Sequence, residues 1–576
     1  MIKQIILSII VVLFCIGWTS NPERNTAVCT ADHEQKRPQL VSNGEGGAFV
    51  VWEDSRSGSD YDIYGQLIDS TGRTIWRAGG ISICTAIGPQ RYPQVTADSS
   101  GGFIITWFDR RNGRNYDIYA QRINAEGRIQ WNTNGVAICT AVGDQYDPIP
   151  VSDGRGGAII IWQDRRNGND YNIYAQGIDS SGKVKWDANG VGICTEKEDQ
   201  DNLQVVADGN NGSVITWQDR RNGTDYDIYA QRIDSTGRIQ WTANGIEICT
   251  AEYDQRGPRL VSDTTGGAVI TWQDKRNGND YDIFTQRVDS SGTVQWTANG
   301  IAICTAANSQ YDPRLASDGK GGAYITWQDY RKGSDCNFDA FEEQTNFNLE
   351  VCKEKHLNDW NIYAQLINSS GRVQWAVNGV GISTANFDQY KPQMAADGFG
   401  GTIVVWRASE KENDQNIYAQ RLTSSGKVQW AAEGIPVTSA PGDQYDPLLV
   451  SDGRGGAIVT WYDKRKGSHW DIYVQKLCVS GEIGGCSVPV AVIAADKFSG
   501  TAALTIQFKG NESFDPDGSI SEWRWNFGDG KRASTINVIH TYSSPGTYTV
   551  TLRVRDNNGK WSPLVRKKIE VLAKSG

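Results

Sequence analysis

The chain repeats one alternation of apolar and polar runs eight times. Trp52, Trp107, Trp162, Trp217, Trp272, Trp327, Trp406 and Trp461 mark the period, 55 residues each time except for 79 between Trp327 and Trp406, where 24 residues are inserted. In the third unit PIPVSD, GGAIIIWQD, NIYAQGID and KVKW are short β-rich runs, separated by Asp-Gly, Asn-Gly and Ser-Gly turn signals. The pattern predicts a four-stranded meander per unit. An isolated meander leaves both faces uncovered, so the units are expected to stack on one another.

The chain ends choose between a radial and a linear stack. The last unit stops after LCVSGEIGGC and lacks the NGVxICTA segment of the earlier ones; Asn25 to Ala31 supply that segment at the other end, with Gln35 and Pro38 in register. A solenoid would need polar caps instead. The expectation is therefore an all-β chain with an eight-bladed β-propeller over residues 25–486, closed by its amino-terminal strand and carrying an insertion at 335–358 in unit six. Past Cys486 the period ends, and residues 488–572 alternate as strands of a separate module, as in Thr549 to Val554.

Composition narrows the class. With 63 Gly, 21 Trp and 23 Tyr against 2 Met in 576 residues, turn-rich strands are favoured and a helical bundle is excluded. The 57 basic and 67 acidic residues leave a net charge of −10, which repels a phosphate backbone, so nucleic acid is not an expected partner. Lys3 precedes an apolar run from Ile5 to Gly17, too short to span a bilayer, and a signal peptide within residues 1–20 is expected. No other stretch reads as a transmembrane segment. Cys15 lacks the small residues that a lipid-anchor motif places before it. The expected product is secreted or displayed at the cell surface, and monomeric.

Of 11 cysteines, Cys29, Cys84, Cys139, Cys194, Cys249 and Cys304 share one repeat position, which Ser383 and Thr438 fill in the other two units. A site that accepts any small side chain reads as a buried free thiol. Cys336 with Cys352, and Cys478 with Cys486, stand outside the consensus and close short loops; both pairs are expected to be disulfides.

The run W-x-D-x-R-x-G-x-D-Y-D-I-Y, Trp52 to Tyr64, resembles the repeats of sialidase-like and related secreted bacterial propellers. That likeness is one of structural consensus and carries no arginine triad or tyrosine–glutamate pair onto positions here. In the last module Trp525-Asn526-Phe527-Gly528-Asp529-Gly530, His540-Thr541-Tyr542 and Pro545-Gly546-Thr547-Tyr548 closely resemble the PKD domain, an Ig-like β-sandwich. This resemblance implies an extracellular spacer or binding module. Asn511, Asp515 and Asp517 resemble the turn through which some PKD domains hold Ca²⁺, although Asp-Pro-Asp-Gly also forms an ordinary turn. No other cofactor is expected.

Asp54, Asp60 and Asp62 do not follow the spacing of a calcium loop, and blade seven replaces the acid and its arginine together, so a structural hairpin with paired Asp and Arg is expected. The Trp and the Gln of IYAQ occur in every unit; packing explains them, and a multivalent lectin would also repeat them. Four histidines and no H-E-x-x-H or G-x-S-x-G run leave no catalytic residue to assign. A single specific site requires broken symmetry. Unit six breaks it with the insertion, where Asp339, Glu342, Glu343 and His356 precede Asp359 and Trp360, and unit seven with Arg407, Glu410 and Glu412. These residues are expected to rim one ligand pocket. The function expected is binding of an extracellular glycan or protein, with a polysaccharide lyase or glycoside hydrolase as the alternative.

Overall fold

A computed structural model describes residues 25–573 except 169, 333–359, 412–413, 468, 485, 487, 516–518 and 558. The described residues form 40 strands, β1 to β40, and no helix. The chain divides into two units, Met1–Lys476 and Leu477–Gly576.

In the first unit, sheet one runs β2 (Gln35–Ser42), β3 (Ala48–Asp54), β4 (Asp62–Ile68), β5 (Ile81–Cys84), antiparallel throughout. Sheets two to seven repeat that order from Gln90, Gln145, Gln200, Gln255, Gln310 and Asp388. Sheet eight is built from β30 (Gln444–Ser451), β31 (Ala457–Asp463) and β32 (Asp471–Leu477), and its fourth strand is β1 (Thr26–Cys29), paired antiparallel to β32 through Thr26 with Val474 and Ala27 with Tyr473.

The eight-bladed propeller expected from the sequence is corrected here. The strands form separate four-stranded sheets whose β-ladders pair only strands of the same sheet, and none is closed into a barrel or propeller. The displaced amino-terminal segment was the reason for expecting closure, yet its hydrogen bonds require only that it complete one sheet.

Side-chain packing joins neighbouring sheets. Every residue of β3 is buried, as expected of a strand covered on both faces. Phe49, Val51 and Ile63 of sheet one share a cluster with Phe103, Ile105 and Trp107 of sheet two, whereas Val50 and Trp52 pack with Ile458 and Ile472 of sheet eight. Each fully buried large apolar side chain contributes about 1.5–3 kcal/mol.

Each first strand carries one irregularity. In β2 the register shifts between Lys36 and Gln39, around Arg37 and Pro38. Pro has no N–H for the ladder and is tolerated at a bulge. Arg37 there adopts a left-handed backbone, φ 50°, as do Tyr92, Asp147, Asn202, Gly257, Asp312, Lys391 and Asp446 in the other sheets. All but Asn202 precede proline, where an extended backbone is the norm, so eight equivalent strained positions line up along the first strands.

The second unit contains a three-stranded sheet, β33 (Ala494–Ala495), β35 (Leu504–Lys509), β38 (Asn537–Tyr542), and a five-stranded sheet, β34 (Ser499–Thr501), β40 (Val565–Leu572), β39 (Gly546–Asp556), β36 (Ile520–Asn526), β37 (Arg532–Ala533). They enclose Ile506, Phe508, Trp525, Phe527, Val550 and Leu552. Alternating burial along β35 shows one face inward and the other solvated. Cys478 and Cys486 form a disulfide. Cys336 and Cys352 lie outside the described residues.

Candidate functional site

The most repeated polar group is occupied with holding sheets together. Trp52 Nε1 donates to Asp54 Oδ2 at 2.8 Å, and Arg56 holds both carboxylate oxygens through Nε (2.8 Å) and Nη2 (2.5 Å). The same Nη2 reaches Cys29 Sγ (3.0 Å) and the Gly79 carbonyl (2.8 Å), and the guanidinium lies 3.9 Å from the Tyr64 ring centre. Sheets two to six repeat the set around Asp109, Asp164, Asp219, Asp274 and Asp329; in sheet eight Thr438 takes the thiol's place beside Arg465. Burial pushes all six thiols up to about 12, so they are not nucleophiles. The repeated glutamine is similarly engaged: Gln66 donates to the Arg77 carbonyl and accepts from the Leu67 and Trp76 amides.

Sheet seven, which includes β27 (Thr402–Lys411), departs from this pattern. Ala408 and Glu410 stand where the other sheets have Asp and Arg, and Trp406 Nε1 is buried without a hydrogen-bond partner among the described residues.

In four of the sheets the side chain after the Trp serves the bulge of the next sheet. Glu53 accepts from the Tyr92 amide (2.8 Å), Gln218 from Gly257 (3.0 Å), Gln273 from Asp312 (3.3 Å) and Gln328 from Lys391 (3.2 Å). Each satisfies an N–H that the bulge has taken out of the ladder. In sheets seven and eight Arg407 and Tyr462 occupy that position. Neither repeats the glutamine's role. Arg407 lies 4.7 Å from the Tyr445 ring and 5.4 Å from the Tyr390 ring, its Nε is buried without a hydrogen-bond partner, and it pairs with no acid among the described residues. Tyr462 donates to Asp446 at 2.8 Å, and burial, then the Asp446 charge, holds its phenol above the ordinary range.

Sheets one and two continue the group. Glu53, fully buried, also accepts from Arg37 Nη1 and Arg91 Nε, both at 3.0 Å. Arg37 lies 4.2 Å from the Tyr92 ring and Arg91 4.4 Å from the Tyr61 ring. Three guanidinium groups therefore stand among tyrosine rings with Glu53 and Asp446 as the acids in contact. Guanidinium forks match carboxylate and sulfate geometry, and aromatic faces suit flat apolar surfaces.

Of the residues predicted to rim a pocket, Asp339, Glu342, Glu343, His356, Asp359 and Glu412 lie outside the described residues. Trp360 is only 6% exposed, packed against Tyr330 (4.8 Å), Tyr311 (5.8 Å) and Tyr390 (6.4 Å), and Tyr390 leads on to Arg407. The structure thus places Trp360 and Arg407 in one row of rings, with Trp360 as its buried support. Glu410 is exposed and accepts from the Tyr418 hydroxyl. Three residues from Arg407 along one strand, it faces the opposite side. Arg37, Glu53, Arg91, Tyr445 and Tyr462 are not among the residues expected from the sequence. Their signal was present: the residue after each Trp and the two before each bulge proline vary from repeat to repeat, while their flanks do not.

In the second unit Asn511 is exposed and Asp515 half-buried, and Asp517 lies outside the described residues. No group of three His, Cys, Asp or Glu side chains is placed to hold a metal among the described residues.

Residues 486–570 match the family model of the PKD domain, and that segment is a PKD module. Among curated relatives, "Collagenase ColA" of Clostridium perfringens is 34% identical over 165 residues, 28% of this chain and 13% of the relative. "Microbial collagenase" of Vibrio alginolyticus is 25% identical over 259 residues, 42% of this chain and 30% of the relative. The chain thus spans less than a third of either collagenase. The crystal structure of the PKD1 domain from the Vibrio cholerae metalloprotease PrtV is 28% identical, covering 15% of this chain and 96% of that one, with a TM-score of 0.13. No described helix is long and apolar enough to cross a membrane.

Proposed function

We propose that this is an extracellular binding protein whose repeat array recognises an anionic glycan at the arginine–tyrosine group of sheets seven, eight, one and two, with the PKD module as spacer or second contact. The observation that carries the reading is Arg407, a guanidinium between Tyr390 and Tyr445 with no acid partner among the described residues. The other repeated polar groups are engaged internally, and this one keeps unused donors. The insertion of unit six, with Asp339, Glu342, Glu343, His356 and Asp359, and Glu412 of unit seven complete the rim in this reading; Glu410, turned to Tyr418, is left out of it. Ca²⁺ at Asn511, Asp515 and Asp517 belongs to the same proposal.

The test is a panel of purified oligosaccharides and triple-helical collagen presented to the protein without its first 20 residues. Retention of acidic glycans without product, reduced at least ten-fold by Arg407→Gln, is the expected result. Chain shortening of the glycan would replace this reading with an enzymatic one. Collagen binding that Arg407→Gln leaves unchanged would place function elsewhere in the chain.

A further inference from the structure

A second concentration of positive charge lies on the first strands of sheets five to seven. Arg259 and Arg314 immediately follow the bulge prolines there, in register with Thr271 and Thr326. The other six sheets hold uncharged residues at that register: Gln39, Gln94, Ile149, Gln204, Gln393 and Leu448. Charge enters that register at these two adjacent positions alone, each time as a guanidinium.

One acid stands among the cations. Asp312 receives Arg314 Nη2 on Oδ1 and Lys391 Nζ on Oδ2, each at 3.1 Å. Each oxygen thereby faces a cation, and the cations hold its carboxyl far below the usual carboxylate range despite burial. Arg259 is left with a single hydrogen bond, from Nη1 to its own neighbour's carbonyl, Pro258, at 2.9 Å. It pairs with no carboxylate among the described residues. Burial and then the Arg314 charge pull Arg259 below the guanidinium range. The Asp312 charge opposes that shift without cancelling it, and the guanidinium stays protonated. The cluster is accessible: side-chain exposure is 17% at Arg314, 18% at Asp312 and 52% at Lys391.

Three cations share a single carboxylate and are short of counter-charge, and a group of this kind is completed by an oxyanion. In a chain of net charge −10 it also stands out from its surroundings. We propose that Arg259, Arg314 and Lys391 form a second anion subsite, which takes a carboxylate or sulfate group of the same acidic glycan. The subsite rests on the function proposed above for its macromolecular ligand, and on its own geometry for the oxyanion. Lys391 directly follows Tyr390, the ring beside Arg407, so one bulge of sheet seven contributes to both sites.

The experiment compares wild type with Arg259→Gln, Arg407→Gln and, as a control for net charge, Arg524→Gln in the PKD module. Probes are inorganic sulfate, a labelled galacturonate trimer, a sulfated trisaccharide and a neutral trimer. Sulfate should raise the wild-type melting temperature above that in chloride of equal ionic strength, and Arg259→Gln should remove the difference. Arg259→Gln should weaken binding of a charged trimer at least ten-fold and spare the neutral one; whether galacturonate or the sulfated sugar is held identifies the oxyanion. Loss with Arg407→Gln but not with Arg259→Gln overturns the second subsite and leaves the proposed function standing. Loss with Arg259→Gln alone supports the subsite and overturns the site around Arg407. An equal loss with Arg524→Gln reduces the effect to net charge and overturns the subsite, as does sulfate stabilisation that Arg259→Gln leaves undiminished. Should Arg259→Gln fail to fold, Arg314→Gln takes its place with the same expected outcomes.

Discussion

Arg56 of sheet one donates through Nη2 to the sulfur of Cys29, a residue of β1 in sheet eight, at 3.0 Å. The thiol accepts from a guanidinium that is already committed to Asp54, and the indole of Trp52 approaches the same carboxylate. A cysteine here serves as a small, polarisable wall for a buried ion pair. Thr438 can replace it beside Arg465, and Ser383 stands where sheet seven has no such ion pair and donates to Glu433 instead.

The ion pair itself should be costly to break from one side. Asp219 is fully buried against Arg221, 20% exposed. Arg221→Gln leaves a buried carboxylate without its partner and should destabilise by about 3 kcal/mol. Adding Asp219→Ala, which imitates Ala408 of sheet seven, should recover part of that loss. Urea unfolding of both single variants and the double variant reads the coupling; strict additivity would show that the two residues do not act as a pair.

Acidity at the strand ends should make stability depend on pH. Asp227 and Asp282 are both raised to about 7, by burial first and then by neighbouring carboxylates, Asp225, Asp219 and Glu247 for the one, Asp274 and Asp280 for the other, against the opposing charges of Arg221 and Arg276. An unfolded aspartate titrates near ~3.9. Between these values the folded chain keeps a proton that the unfolded chain has lost, so stability falls as pH rises from about 4 to about 7 and levels off above. Asp227→Asn with Asp282→Asn, the residue type found naturally at 172, 361 and 416, should gain on the order of 1–3 kcal/mol per site at pH 8 and nothing at pH 3.5. A wild type that melts at one temperature across this range would contradict the prediction.

Six thiols should be silent in the folded protein. Cys29, Cys84, Cys139, Cys194, Cys249 and Cys304 are buried and free. Native protein lacking the first 20 residues should give no reaction with a thiol reagent at pH 8, and the unreduced, unfolded chain should give six equivalents. Eight equivalents would mean that Cys336 and Cys352 are not bonded to each other.

Removing the amino-terminal strand should damage the far end of the repeat array. Deleting residues 21–31 exposes the edge of β32 and takes Asn25 from Gln475, to which it donates at 2.7 Å, and from Arg465, from which it accepts at 3.0 Å. The truncated protein should aggregate or lose its single unfolding transition, followed by light scattering and circular dichroism. An unchanged melting temperature would show that β1 contributes nothing to sheet eight.

The meanders were legible because tryptophan, turn glycines and alternation fall at a constant period, and the strand exchanged between chain ends could be read from a missing segment. A closed propeller did not follow, because periodicity specifies what one sheet contains and is silent on the closure of the whole. The PKD module was legible from a run of particular residues. The arginine–tyrosine group was not, because its parts come from four sheets and the chain's two ends: Arg37 and Arg407 are 370 positions apart in sequence. The insertion is the most conspicuous break in symmetry, whereas single-residue changes such as glutamine to Arg407 mark the described cluster.

The bulge caps carry a consequence for how such a chain can change. Gln218 closes the bulge at Gly257 and Gln273 the one at Asp312, so sheets four and five each complete their successor. The heritable module is then the seam, spanning half of one repeat and half of the next. An in-frame loss or gain of one 55-residue period among sheets three to five joins like seam to like and should be tolerated locally, whereas a crossover beside sheet seven mismatches Arg407 with a glutamine-type neighbour. Recognition can therefore diversify by recombination only where seams agree, and the odd seams around sheet seven are the part of the array that unequal crossover can least readily copy.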